Sequence, residues 1–281
     1  MATKKAASTA KSSTKKSNAS KQTTTKVTTV KAVESRPAAA PVSAASGKFS
    51  VRNSSAVAAL VAEFVGTFIF AATVVASQGQ PILVMFALAG VVLAVGALSG
   101  AYLNPALTIA AWVTRRMTAM RALGYIVAQF LGAMLALVAL NVFASSVAPA
   151  GNANDLYSAT PTLFKAAAIP EGKEWLIFLA ELIGAAIFGF AVASATRELK
   201  ERTAAALTVG IGVFLGLMVA GSAASFLGGS SILNPAVAVA LQAINFSTIW
   251  PLTVYIIGAS LGAVIGFVLY DVVRNAEQKS N

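Results

Sequence analysis

Two Asn-Pro-Ala tripeptides, Asn104-Pro105-Ala106 and Asn234-Pro235-Ala236, carry the most recognisable chemistry in this chain. Asparagine is a preferred N-cap and proline a preferred first helical residue, so each tripeptide predicts the start of a helix. The capping asparagine oxygen accepts a backbone N–H, and we expect its amide NH₂ to stay free to donate. Two such donors side by side would suit a neutral oxygen atom, such as that of water or an alcohol.

The helix dipole gives the same tripeptides a second property. Each helix N-terminus carries partial positive charge, so two of them pointing at one spot would repel cations. A water molecule at that spot would turn its oxygen toward the two donors, which interrupts a proton-conducting chain of waters. We therefore expect a site that accepts neutral solutes and disfavours hydronium.

Two acids, Glu63 and Glu181, stand inside long apolar segments. A carboxylate at membrane depth is either functional or paired, so a proton or cation relay is one interpretation. The other is structural, with each carboxylate accepting backbone N–H groups of an irregular loop that lipid could not satisfy. We favour the loop-supporting role for both residues.

Composition limits the class of protein. Of the 281 residues, 57% are hydrophobic and only 11% are charged, which is far too apolar for a soluble domain and indicates a membrane protein. Cysteine and histidine are absent, so thiol redox centres, most zinc sites and histidine acid–base chemistry are excluded. We expect no metal, no cofactor and no enzymatic activity.

The elements that would position these residues follow from hydropathy. Two apolar stretches, Pro105 to Thr114 and Pro235 to Ile244, would cover only about 15 Å as helices, half of a hydrocarbon core, and predict re-entrant half-helices. Six other segments are long enough to cross: Ala56 to Ala76, Ile82 to Leu98, Ala122 to Val142, Trp175 to Ala195, Ala204 to Gly221 and Ile249 to Tyr270.

The distribution of positive charge predicts the orientation. With six crossings, nineteen of the 21 Lys and Arg residues fall on one side and two, Lys165 and Lys173, on the other. Because cytoplasmic segments are enriched in Lys and Arg, both termini are predicted to be cytoplasmic in a multi-pass cell-membrane protein.

The chain also repeats itself. Ala62 to Gly66 recurs as Ala180 to Gly184, Leu103 to Leu107 as Leu233 to Val237, and Tyr125 to Ala133 as Tyr255 to Ala263. Each copy holds three crossings and one half-helix, and the odd number inverts the second copy relative to the first. The predicted fold class is therefore an all-α membrane protein with six transmembrane helices and two re-entrant half-helices in an inverted repeat.

Domain boundaries follow from the same pattern. We expect a channel domain at 54–275, with repeat one at 56–143 and repeat two at 174–271, and a C-terminal tail at 276–281. Residues 1–53 hold eleven Lys and Arg against one acid and few large apolar residues, which predicts a disordered basic tail. Two interpretations of that tail stay open: contact with anionic lipid or nucleic acid, and a solvated extension.

These motifs resemble those of the aquaporin, or major intrinsic protein, family over essentially everything from Ala56 to Tyr270. The resemblance rests on Ser99 to Ala106, on Leu233 to Ala236, on the two Ala-Glu segments and on Tyr125 to Ala133. It implies a right-handed six-helix bundle with one pore per subunit, a homotetramer, and passive conduction of water, glycerol or similar neutral molecules through the lipid bilayer.

The departures from the family pattern concern the solute. An arginine usually follows the second Asn-Pro-Ala, and here Val237 stands there, with Leu107 expected beside the pore at the matching position of repeat one. Tyr102 replaces the usual histidine before the first motif. Family spacing implies an uncharged selectivity filter, wider than one with arginine, formed by Val84, Ser222, Ser231 and Val237.

Two other functions compete with a passive channel. Inverted repeats and broken helices also build ion- or proton-coupled secondary transporters, for which Glu63 and Glu181 would be the available coupling groups. A third hypothesis makes the basic tail the main functional element, in an adhesion or scaffold protein whose pore is vestigial.

Overall fold

A computed structural model describes residues 54–146, 162–198, 201–246 and 248–280. All regular secondary structure in these ranges is helical, which confirms the predicted all-α fold class. The helices are α1 (Ser54–Ala76), α2 (Pro81–Ser99), α3 (Pro105–Val113), α4 (Ala119–Ser146), α5 (Glu174–Glu198), α6 (Arg202–Phe226), α7 (Pro235–Ala240), α8 (Trp250–Leu252), a π-helical segment (Thr253–Gly258) and α9 (Ala259–Ser280).

Six described helical runs are long and apolar enough to cross a membrane. They are α1, α2, α4, α5, α6 and the continuous run from Trp250 to Lys279, and each contains a predicted span to within one residue. The predicted basic tail at 1–53 lies outside the described residues. The predicted C-terminal tail is helical as far as Ser280, because α9 continues through it.

Within each repeat, the first helix packs against the other two. In repeat one α1 contacts α2 and α4, and in repeat two α5 contacts α6 and α9, while α2 and α6 join the two halves. The α1–α4 and α5–α9 contacts are close because glycine lies in them. A Cβ atom at Gly132 would overlap the carbonyl of Phe64, and one at Gly262 would overlap the carbonyl of Leu182.

The half-helices are exchanged between repeats. Besides contacting α4, α3 packs on α9 of repeat two, and α7 packs on α4 of repeat one. The exchange brings the N-termini of α3 and α7 together in the centre of the bundle, where Pro105, Ala106, Pro235 and Ala236 are all buried.

The second half-helix is shorter than predicted. It ends at Ala240 rather than Ile244, because Gln242 adopts a left-handed conformation with φ of 55°. The Ala243 N–H then bonds back to the Ala238 carbonyl, while the Leu241 carbonyl accepts the N–H of Ala166 from another loop. This is the hydrogen-bond pattern with which helices commonly end.

The last crossing differs from its counterpart in repeat one. The helical run starts at Trp250 with Pro251 in its first turn, and a π-helical segment at Thr253–Gly258 follows before regular α-helix resumes in α9. Such segments insert one extra residue into a helix turn and usually mark local adjustment to a neighbouring element. Here the segment packs against α5 and α7.

Candidate pore

The two Asn-Pro-Ala motifs cap α3 and α7 with almost the same geometry. Asn104 has φ and ψ of −155° and 116°, and Asn234 has −149° and 110°. The Oδ1 of Asn104 accepts the Ala106 N–H at 2.9 Å, and the Oδ1 of Asn234 accepts the Ala236 N–H at 3.0 Å. Both are the N-caps that the sequence predicts.

Each asparagine also binds the opposite loop. The Nδ2 of Asn104 donates to the Leu233 carbonyl at 2.8 Å, and the Nδ2 of Asn234 donates to the Leu103 carbonyl at 2.9 Å. We expected both amide groups to be free to donate, and this is wrong for one of the two N–H groups of each asparagine. An amide NH₂ carries two hydrogens, so one donor per asparagine remains beyond these bonds.

The accepting carbonyls are presented by strained backbone. Leu103 has φ of 51° and Leu233 has φ of 62°, in the left-handed region that costs a branched residue about 1–2 kcal/mol. Both side chains are fully buried, at 0% and 1% exposure, so packing holds the backbone in this conformation. The packing of these leucines and the reciprocal hydrogen bonds offset this cost and fix the two tips against one another.

Glu63 supports the first loop from α1. Its Oε1 accepts the Tyr102 N–H at 3.0 Å and its Oε2 accepts the Leu103 N–H at 2.7 Å. Gln129 of α4 donates both to Glu63 Oε2 at 2.8 Å and to the Thr108 hydroxyl of α3 at 2.9 Å. Fully buried polar groups from three helices thus satisfy one another around this loop.

Glu181 supports the second loop with different partners. Its Oε1 accepts the Leu233 N–H and its Oε2 accepts the Ile232 N–H, at 2.6 and 2.9 Å. The third donor is the hydroxyl of Ser231, at 2.6 Å. Ala259 stands where Gln129 would correspond, so the serine hydroxyl of the loop itself takes the place of the glutamine amide.

A cavity of about 570 Å³ opens on the side of Asn234. We call it the serine vestibule. None of the described residues that line it is charged, and they include all four predicted filter residues together with Asn234 and the aromatic rings of three phenylalanines: Val84, Ser222, Ser231, Val237, Phe70, Phe164 and Phe188. Val237 lines this cavity although it is only 2% exposed.

A second cavity, of about 410 Å³, opens on the side of Tyr102 and shares no lining residue with the first. We call it the arginine vestibule, because Arg116, Arg121 and Arg202 line it together with Tyr102. The two vestibules lie at opposite ends of α2 and α6: residues near Pro81 and Ser225 line the serine vestibule, and residues near Ser99 and Arg202 line the arginine vestibule.

Some predicted site residues lie away from both cavities. Asn104 and Leu107 are 1% exposed and line neither vestibule, and Glu63 and Glu181 lie behind their loops. Sequence reasoning missed the Gln129–Thr108 pair and the arginine vestibule. The glutamine had a signal, since it is a polar residue in the middle of the apolar stretch from Ala122 to Leu140.

This architecture defines the class of the protein: an integral, multi-pass membrane protein in which two opposed half-helices separate two vestibules. The family model described as major intrinsic protein matches residues 50–270, and the chain belongs to that family. Membership confirms the predicted family and the prediction that this chain is not an enzyme.

Two relatives and one solved structure illustrate the similarity. The chain is 32% identical over 216 residues to glycerol uptake facilitator protein-like 6 of Lactiplantibacillus plantarum, covering 73% of this chain and 93% of the relative. It is 30% identical over 231 residues to aquaporin NIP1-1 of Zea mays, covering 76% and 74%. The X-ray structure of the aquaglyceroporin from Plasmodium falciparum matches with a TM-score of 0.57 at 20% identity, covering 78% of this chain and 97% of that one. The last match bears on the fold alone.

Proposed function

We propose that this protein is a passive transmembrane channel for water and small uncharged solutes such as glycerol. The observation that carries the proposal is the pair of half-helix N-termini joined by reciprocal bonds between Asn104 and Asn234, with a vestibule on either side. The remaining amide hydrogens and the two converging dipoles favour a neutral oxygen over a cation at this position. The names of the two relatives, a glycerol facilitator and an aquaporin, support the same solute class.

The solute limit is proposed to lie in the serine vestibule, at the filter formed by Val84, Ser222, Ser231 and Val237. A valine in place of a filter arginine removes both positive charge and bulk, so solutes larger than water pass more readily. The Ser231 hydroxyl donates to Glu181 and Ser231 lines the cavity, so its oxygen keeps lone pairs as acceptors for a solute. A filter with acceptors and no cation suits polyols, which bring their own O–H donors.

The assembly and placement are part of the proposal. We infer a homotetramer in the cell membrane, with both termini cytoplasmic and the arginine vestibule facing the cytoplasm. The residues proposed as the channel domain are 54–275. The basic tail at 1–53 is proposed to contact anionic lipid or nucleic acid, and deleting residues 1 to 50 should leave solute flux unchanged while altering localisation or partner binding.

The test is a paired measurement of osmotic water and glycerol permeability in proteoliposomes, for the native chain and Val237→Arg. Proteoliposomes that contain the native chain should change volume faster than empty vesicles, both in the water and in the glycerol measurement. The arginine should narrow the serine vestibule and cut glycerol flux about tenfold or more, with a smaller effect on water. Native flux no faster than that of empty vesicles would refute the channel, and equal glycerol flux in both chains would place the constriction elsewhere.

Coupled transport has less support. Both intramembrane carboxylates are engaged with the donors of their loops, so neither is positioned to bind a coupling ion in the described structure. If Glu63→Gln and Glu181→Gln assemble normally and keep full flux, coupling through these residues is excluded.

A further inference from the structure

The two vestibules differ most in charge. The serine vestibule has no charged lining among the described residues, whereas three arginines line the other cavity. These arginines come from three separate places in the chain: Arg116 from the turn after α3, Arg121 from the first turns of α4, and Arg202 from the start of α6. The fold brings these three cations together around one cavity, although Arg202 lies far from the other two in the sequence.

Each guanidinium is held in place. Arg121 donates to the Tyr125 hydroxyl and to the Ser99 carbonyl and lies over the Tyr125 ring at 5.1 Å. Arg202 donates to the Leu93 carbonyl of α2 at 2.8 Å. These partners are neutral carbonyl, hydroxyl and ring groups, so no ion pair with them offsets the charge of Arg121 or Arg202.

Arg116 is different, because it forms an ion pair. Its Nη2 lies 2.8 Å from Asp271 Oδ1, and its guanidinium stacks over Phe267 at 4.6 Å. Asp271 therefore offsets much of the charge of Arg116. The nearby acid Glu201 caps α6 through the Ala204 N–H and is not among the residues that line the cavity. Among the described residues that line this mouth, Arg121 and Arg202 leave an excess of about two positive charges.

We propose that the arginine vestibule supplies a second cation barrier, in series with the dipoles at the asparagine tips, to which the serine vestibule contributes no charge. The inference rests on the proposed channel function and deepens it. A cation entering from either side must pass the arginine vestibule to cross, whereas a neutral polyol or water molecule meets no such penalty. The positive mouth adds to the dipole field at the asparagine tips, which acts further along the same path.

The barrier supplied by one arginine is measurable. A unit charge a few ångströms from a partly hydrated path changes the local cation concentration by about three- to tenfold, and screening by salt reduces the effect. Arg202 is the suitable residue to change, because it is solvent-exposed and its guanidinium is held by a hydrogen bond to the Leu93 carbonyl. Lys279 is a matched control, being an exposed cation near the end of α9 that does not line the vestibule.

The experiment measures water flux and cation leak on the same proteoliposomes at low ionic strength. Water flux is followed by light scattering, and proton and Na⁺ leak by dyes trapped in the vesicles. We expect Arg202→Gln to raise the ratio of cation leak to water flux about three- to tenfold, Arg202→Lys to keep the native ratio, and Lys279→Gln to match the native chain. Ala205→Glu, which adds an anion to the same lining, should raise the ratio further.

The outcomes separate the two proposals. If the native chain conducts no water, the channel function fails whatever the leak. If the native chain conducts water and both Arg202→Gln and Ala205→Glu leave the leak ratio unchanged, the cation barrier lies elsewhere and this inference is overturned. Should Arg202→Gln not assemble, Ala205→Glu alone decides by the same ratio, and a rise in Lys279→Gln equal to that of Arg202→Gln would attribute the effect to general surface charge.

Discussion

The two loops that carry the Asn-Pro-Ala motifs are nearly identical in their central bonds and different in their surroundings. In both, an asparagine caps its helix, donates across to the other loop, and follows a buried leucine in a left-handed conformation. The first loop leads into nine residues of helix and is enclosed by Glu63, Gln129 and Thr108. The second leads into six residues of helix and opens onto the serine vestibule.

The difference shows which features the two repeats must share and which can differ between them. The symmetric part, the reciprocal asparagine bonds, needs both copies to match because each loop supplies the acceptor for the other. The asymmetric part is free to change once that contact is made. In repeat one a buried polar network anchors the loop, whereas in repeat two Ser231 donates to the carboxylate that holds the loop and lines the cavity together with Val237.

The sharpest test of this division places the same residue at equivalent positions of the two half-helices. Leu107 and Val237 each follow their asparagine by three residues, and both are almost fully buried, at 1% and 2% exposure. Val237 borders the serine vestibule, so an arginine there can direct its guanidinium into the cavity. Leu107 borders neither vestibule, and an arginine there would bury an unpaired charge at a cost of several kcal/mol.

We therefore expect Leu107→Arg to yield no monodisperse protein in detergent, while Val237→Arg elutes as the native chain does. Size-exclusion chromatography of fluorescent fusions measures this directly. Leu107→Met, which keeps the volume and the apolar character, is the control for tolerance at the site and should behave as native. Equal yields of the two arginine variants would show that the half-helices do not differ as described.

The second prediction concerns the two supporting carboxylates. Glu63→Ala leaves the N–H donors of Leu103 and Gln129 without partners in a region that reaches neither vestibule. It also frees the Tyr102 N–H, but Tyr102 lines the arginine vestibule, where water can bind it. Glu181→Ala leaves the Leu233 N–H without a partner away from both vestibules. The other two donors, Ile232 and Ser231, line the serine vestibule, where water can bind them. At about 1–3 kcal/mol for each buried unsatisfied donor, Glu63→Ala should lose about 3 kcal/mol and Glu181→Ala about half as much.

Apparent unfolding midpoints in one detergent, measured with a thiol-independent fluorescence readout, provide the comparison. Each alanine variant is paired with its glutamine variant, which keeps one acceptor oxygen and should recover part of the loss. A larger loss for Glu181→Ala than for Glu63→Ala would contradict the assignment of the enclosed network to repeat one.

Much of the fold follows from the sequence because membrane helices and half-helices have strong local signals. Apolar length predicts the six crossings, and Asn-Pro at 104–105 and 234–235 predicts both helix starts. The structure adds the left-handed leucines before each asparagine. Their conformation is set by burial and by the opposite loop, so the backbone propensity of leucine gives no indication of it. The bonds from the asparagine amides to the opposite loop also depend on tertiary contacts, and the sequence did not predict them.

The arginine vestibule was missed for a topological reason. Counting Lys and Arg by segment places Arg116, Arg121 and Arg202 on one side of the membrane but treats them as surface charges. Their convergence depends on the contact between α2 and α6 and on the turn after α3, which bring together residues up to 86 positions apart. The four filter residues lie around one cavity, and their role in selectivity is what Val237→Arg tests.

The smallest expected effect tests whether the enclosed network stabilises the loop without taking part in conduction. Thr108 accepts the Gln129 amide at 2.9 Å and corresponds to Ala238 in repeat two, where no such bond exists. Thr108→Val keeps the shape and removes the hydroxyl, which leaves one N–H of Gln129 unsatisfied at a cost of about 1–2 kcal/mol.

Because Thr108 lines neither vestibule, we expect Thr108→Val to lower the unfolding midpoint and to leave water and glycerol permeability as in the native chain. Thr73→Val is the matched control, since the Thr73 hydroxyl bonds only to the Ile69 carbonyl of its own helix and its loss should cost less than about 0.5 kcal/mol. Equal midpoints for the two variants would mean that the Gln129–Thr108 bond contributes nothing to the loop. A change in permeability without a change in midpoint would mean that the network acts on the pore itself, because a purely anchoring contact can alter flux only by loosening the tip that it holds.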